Sequence, residues 1–203
     1  MKNKTIFVLR HGETDLNKYG MVQGRGVDAS LNETGREQAA KTYLHLKNIP
    51  FDAVFTSALK RSQETVKFFI EDEIPHIKHA GLDEISWGNQ EGVKATLEAK
   101  NLYAQTIKGW QEGKLELSVG GGESPVEVME RQKGAVDEIL NYDGKTILVC
   151  MHGRAMRILL CWLLKYPLNY MDGFPHNNCA YYKLIYRGED FFVKEFNYCR
   201  HLS

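Results

Sequence analysis

Cysteine is scarce in this chain. The four present among 203 residues, Cys150, Cys161, Cys179 and Cys199, sit singly with no CxxC pair. That excludes the paired spacing of a redox dithiol or a zinc site and fits reduced thiols in the core of a cytosolic protein. There is no span of about 20 apolar residues, which excludes a transmembrane helix. The apolar run behind the amino-terminal lysines stops at Arg10, too short for the core of a signal peptide, so a soluble, cytoplasmic protein is expected. Net charge is also absent, with 26 basic residues against 26 acidic ones. No global field therefore marks nucleic acid or an anionic membrane as a partner, and any anion site has to be local. No internal repeat, low-complexity run or Pro/Gly/Ser linker divides the sequence, so residues 1–203 read as one domain, long enough to bury a core without staples.

What is present is organised around Thr5 to Thr14. An apolar, β-branched run that stops at Arg10-His11-Gly12 predicts a buried strand delivering polar side chains to its carboxyl end, where open α/β sheets place their ligands. His11 is a candidate nucleophile beside a permanent cation, Arg10, with Gly12 letting the backbone turn away sharply. The pattern repeats at Thr146 to Met151, a third buried strand ending in His152-Gly153. Two strands with this ending bring two imidazoles to one sheet edge, where neighbouring strands lie ~4.8 Å apart.

Between these strands the chain supplies candidate partners. A loop from Asn17 to Asp28 carries Gly20, Gly24 and Gly26, with Asn17 and Gln23 as neutral hydrogen-bonding groups. Asn32 caps a helix with the apolar stripe Ala39, Ala40, Tyr43, Leu44. Phe51 to Ser57 predicts a second strand, with Ser57 capping a helix that runs to Ile70. Arg61 in its first turn opposes the helix dipole unless an anion sits between. Pro75 to His79 reads as a short edge strand with both histidines on the surface. Asp83 and Glu84 face apart in an extended segment, so one of them enters a pocket as a general acid, and the pattern leaves open which. Residues 93–110 are weakly helical, and with the following glycines they are expected to form a lid. Ser124-Pro125-Val126-Glu127 is a capping box that starts a packing helix. The helix after His152-Gly153 is apolar on nearly every side and reads as internal. Ala180 to Phe196 reads as a hairpin completing the sheet. No carboxylate cluster suited to a catalytic metal is found.

Taken together and in order, these motifs resemble the histidine phosphatase superfamily, also called the phosphoglycerate mutase-like family, over most of the chain outside residues 93–119. Arg10-His11-Gly12-Glu13-Thr14 is similar to its signature. Asn17 with Gln23-Gly24 falls at its phosphate and substrate loop. Ser57 to Thr65 is similar to its second arginine motif, Leu82 to Gly88 to its acid motif, and Gly121 to Ser124 with Met151-His152-Gly153 complete the set. Met151, Ala58 and Trp87 depart from the usual pattern at positions that bear on substrate preference.

The resemblance implies an α/β fold, a three-layer αβα sandwich with a mostly parallel central sheet and helices on both faces. It implies a metal-independent phosphoric monoester hydrolase of the histidine acid phosphatase type, needing no cofactor and acting on a small phosphorylated metabolite through a phosphohistidine on His11. Arg10, Arg61 and His152 would surround the phosphoryl oxygens, and the resemblance selects Glu84 over Asp83 as the acid. Asn17, Gln23, Gly24, Glu13 and Gly153 would bind substrate, and residues 85–123 would form a lid and specificity segment. Alternatives are a cofactor-dependent phosphoglycerate mutase-type phosphotransferase and a phosphate-binding relative without turnover. A homodimer is left open.

Overall fold

The computed structural model describes residues 3–94 and 96–203. Lys2, one of the amino-terminal lysines, and Ala95, inside the expected 85–123 lid, lie outside the described residues. The strands are Asn3–Arg10 (β1), Ala53–Thr56 (β2), His76–Lys78 (β3), Thr146–Met151 (β4), Tyr181–Arg187 (β5) and Asp190–Tyr198 (β6). They form one sheet in the order β3-β2-β4-β1-β5-β6. β1 to β4 run parallel, and the hairpin β5-β6 joins antiparallel to β1. The sheet is therefore mostly parallel, with its antiparallel part at one edge.

The central strands are apolar without a break because both faces are covered. Ile6 and Val8 of β1, Phe55 of β2 and Val149 of β4 belong to one buried cluster, while Phe7, Leu9, Val54 and Leu148 belong to another. The first cluster meets two helices, Pro125–Asn141 (α6) and Gly153–Leu163 (α7), through Val128, Ala135, Ile139, Ile158 and Leu159. The second meets Leu46 of Glu33–Leu46 (α2) and Phe69 of Lys67–Glu71 (α4). Helices on the two faces of one sheet make the three layers expected of the sequence. Among the described residues no helix is long and apolar enough to cross a membrane.

Several local expectations hold. Asn32 Oδ1 accepts from Gly35 N at 2.8 Å to cap α2, and Ser124 with Glu127 forms the reciprocal capping box of α6. Others are corrected. The helix expected from Ser57 to Ile70 is two helices, Lys60–Thr65 (α3) and α4, parted at Val66, and Leu59 stands at the first N-terminus without a side-chain bond. Ser57 Oγ accepts from Leu59 N at 3.2 Å, ahead of the helix rather than within it, and lies 2.7 Å from Ser62 Oγ and 2.7 Å from His152 Nε2. On α2, Leu44 is 60% exposed, and the buried face consists of Gly35, Ala39, Thr42 and Leu46. His76 and His79 are half-buried, the first bonded to Thr56 Oγ1 and the second accepting from Gly81 N.

Candidate active site

β1 and β4 pair with Arg10 opposite Met151, so His11 and His152 leave the sheet side by side at its carboxyl edge. His11 N donates to Met151 O at 3.0 Å, and the imidazole centroids stand 5.0 Å apart. His11 is buried, with Nδ1 at 2.7 Å from Gly12 O. A carbonyl only accepts, so the proton sits on Nδ1 and the lone pair of Nε2 is free. Burial, then Arg61 and Arg10, hold this ring well below the ordinary histidine range, so it is neutral. Gly12 serves close approach more than a sharp turn: a Cβ there would fall 2.6 Å from Gly35 O at the start of α2.

Arg10 donates through Nη1 to His176 O at 3.2 Å, while its buried Nε has no partner in the protein. Burial lowers its pKa to about 10, against the opposing pull of Glu84, so the guanidinium stays charged at neutral pH. Arg61 is wholly buried. Its Nε donates to His152 Nδ1 at 3.1 Å, Nη1 to Val27 O at 2.7 Å and Nη2 to Gly24 O at 3.1 Å. Because His152 accepts at Nδ1, its proton is on Nε2 and goes to Ser57 Oγ. Burial, then Arg61 and His11, keep His152 neutral too.

The cavity in front of these groups measures about 310 Å³. Arg10, His11, Asn17, Gln23, Glu84 and Gly153 line it. The remaining expected residues do not. Arg61 and His152 are wholly buried beside His11, and their nitrogens bond to each other, to Val27 O and Gly24 O, and to Ser57 Oγ. Gly24 serves as the carbonyl that receives Arg61, and the Glu13 carboxylate is turned to Asn32 Nδ2 at 2.8 Å. The neighbouring carboxylates separate as their spacing requires. Asp83 accepts from Ala58 N and Arg25, while Glu84 faces the cavity. Glu84 Oε1 accepts from Ile85 N at 3.0 Å and Ala155 N at 2.8 Å, and Oε2 from Arg154 N at 3.1 Å. It thereby caps α7, whose own N-cap residue His152 makes no side-chain cap. Asn17 Oδ1 accepts from Thr14 N and Asn178 Nδ2, and Gln23 donates to Thr14 Oγ1, leaving its buried Oε1 without a partner.

Sequence reasoning missed Arg154, Arg157 and His176, which also line the cavity. The two arginines share Asp172 Oδ1, each at 2.6 Å. Their signal was available as a cationic pair three residues apart in an otherwise apolar helix; His176, in an irregular segment, carried none. Burial, then Arg10, Arg157 and Arg154, push the His176 pKa down to about 3. Three guanidiniums, of Arg10, Arg154 and Arg157, thus line the cavity with buried Arg61 nearby, against the carboxylates of Glu84 in the cavity and of Asp172 on the two helix arginines, with the nearby histidines neutral. Such a site attracts an anion, and a partnerless Arg10 Nε offers it a donor. Among the described residues no group of three or more His, Cys, Asp or Glu is placed to hold a metal ion.

The family model of the histidine phosphatase superfamily (branch 1) matches residues 6–198. A phosphoserine phosphatase 1 of Hydrogenobacter thermophilus is 29% identical over 178 residues, covering 87% of this chain and 83% of that one. A 2-carboxy-D-arabinitol-1-phosphatase of Triticum aestivum is 29% identical over 181 residues; the match covers 87% of this chain and only 36% of the wheat protein. The solved structure of Bacillus stearothermophilus YhfR superposes with a TM-score of 0.85 at 26% identity, over 98% of this chain and all of that one.

Proposed function

The chain belongs to the histidine phosphatase superfamily, branch 1, and from that premise we propose that it hydrolyses a small phosphomonoester through a phosphohistidine on His11. The observation that carries this reading is the tautomer of His11: a buried, neutral ring fixed through Nδ1 on Gly12 O, with Nε2 free in a cavity lined by Arg10. Nε2 attacks phosphorus, and the bond to the leaving oxygen breaks. Arg10 takes nonbridging oxygens through its unpartnered Nε. Arg61, whose three nitrogens are bonded internally, adds its positive charge from outside the cavity. Neutral Asn17 contributes from Asp15–Lys18 (α1), the short helix after β1 and not the loop expected there. Starting from its protonated form, Glu84 gives that proton to the leaving alcohol as the P–O bond breaks, then takes one from the water that cleaves phosphohistidine, which leaves it protonated again for the next turnover. His152 acts through its neighbours, holding Arg61 Nε and lying against the His11 ring. The relatives' names, a phosphoserine phosphatase and a carboxyarabinitol phosphatase, support a small phosphorylated metabolite as substrate, with residues 85–123 selecting it.

The test is a screen of phosphorylated metabolites on purified protein, reading inorganic phosphate, in buffer with and without chelator. Release that survives chelation and is lost in His11→Ala supports the reading. Isomerised product from 3-phosphoglycerate without phosphate release would make the protein a mutase. Saturable phosphate binding with no turnover of any ester would make it a binding protein.

A further inference from the structure

The catalytic cavity has a neighbour. Val22, Trp87 and Tyr103, which form one of its walls, also bound a second hollow of about 230 Å³, completed by Ala99 and Val119 with Lys100 at its rim. Trp87 and Val119 are buried, and the Trp87 ring lies 5.2 Å from Tyr103 and 5.9 Å from Trp110, centroid to centroid. The wall is held in place from several sides. Trp87 N donates to Glu91 Oε1 at 2.7 Å, and Asn89 N to Gly120 O at 3.0 Å. Gly88 has φ +56°, and a Cβ there would fall 2.0 Å from Gly120 O, so the two loops cross at closest approach. The Tyr103 hydroxyl receives Arg154 Nη2 at 3.4 Å, which turns the phenol's polar end to the cationic side and its ring to the hollow.

Resting on the phosphatase reading above, we infer that the substrate's leaving alcohol carries a flat apolar or aromatic group that occupies this second hollow while its phosphate lies at Arg10 and His11. In-line displacement sends the leaving oxygen to the side of phosphorus away from His11, where Glu84 stands in the mechanism. Trp87 follows Glu84 on the same segment, so the alcohol's carbon skeleton leaves along the wall that both hollows share. The hollow offers mainly aromatic and aliphatic faces; its two polar groups are the Gln90 amide and Lys100, the latter exposed at the mouth. That chemistry fits a ring or a branched hydrocarbon better than a polyol, most of whose hydroxyls would be stripped of water with only Gln90 and Lys100 as partners.

The experiment compares two primary alkyl esters with leaving groups of similar basicity, 3-phenylpropyl phosphate and glycerol 1-phosphate, by kcat/KM for phosphate release. The phenylpropyl ester is expected to be favoured by roughly tenfold or more, since a filled apolar pocket discriminates on that scale. Ala99→Phe, which fills the hollow from Leu97–Gln111 (α5), is expected to lower that preference about tenfold. Equal kcat/KM for the two esters, or a preference unchanged in Ala99→Phe, overturns the assignment of the hollow and leaves the phosphatase reading standing. Turnover of neither ester, nor of any ester in the metabolite screen, overturns both.

Discussion

A proton on one nitrogen decides what His11 can do. Neutral at Nε2, it is a nucleophile; charged, it would be one more cation among guanidiniums. In the proposed mechanism the arginines that would bind the phosphoryl group also keep the ring neutral, so a single arrangement would serve both attraction and attack. Glu84 has a comparable double duty, facing the cavity while it receives two amides of α7. Glu84→Gln is therefore expected to lower kcat/KM for alkyl phosphates by about 10²-fold or more, and far less for p-nitrophenyl phosphate, whose phenolate departs without a proton. Equal losses for the two substrates would remove Glu84 from the acid role. Arg10 and His11 were legible because two polar residues end an otherwise apolar strand. Arg154 and Arg157 stood out as a cationic pair in an apolar helix, but only the folded chain shows that they face a cavity.

At the level of elements, the helix after β2 is where local rules and tertiary demand part. Ser57 has the sequence position of a cap, yet its hydroxyl is the acceptor for His152 Nε2, and the helix starts later at Leu59 without a side-chain cap. Propensity prescribes a cap; a buried imidazole with a proton to place prescribes an acceptor, and leaving that proton unpaired costs more. Ser57→Ala should thus destabilise the fold by ~1–3 kcal/mol, measured as a drop in urea midpoint, and loosen Arg61 through His152. A midpoint unchanged from wild type would show that the bond contributes nothing. The strand ends and the capping box of α6 were readable because their signals are local. The break at Val66 and the buried face of α2 follow from packing against the sheet, which no short window contains.

Across the whole molecule, the same burial that prepares the site makes stability depend on pH. In the unfolded chain the imidazoles take up protons below about pH 6.5. In the folded chain His11 and His152 are held well below that and His176 at about 3. The unfolded state binds more protons as pH falls beneath 6.5, so stability drops through that window towards 3, and above it these groups add no pH dependence. Each contributes up to ~1.4 kcal/mol per pH unit. Urea midpoints at pH 7.5 and 5 check this, and a midpoint equal or higher at pH 5 contradicts it. The sheet edge that assembles the site was legible because two strands share one ending. The burial of Arg61 and His152 beside His11 was not, since it depends on carbonyls of the 20s loop that meet Arg61 only in the folded chain. The most direct measurement is rapid alkaline quenching after mixing the protein with a phosphomonoester labelled in its phosphoryl group, followed by mapping of the label under basic conditions. The account predicts phosphate that is acid-labile, base-stable and carried on His11. Label that persists in His11→Ala, or turnover with no labelled protein at any time point, would contradict it.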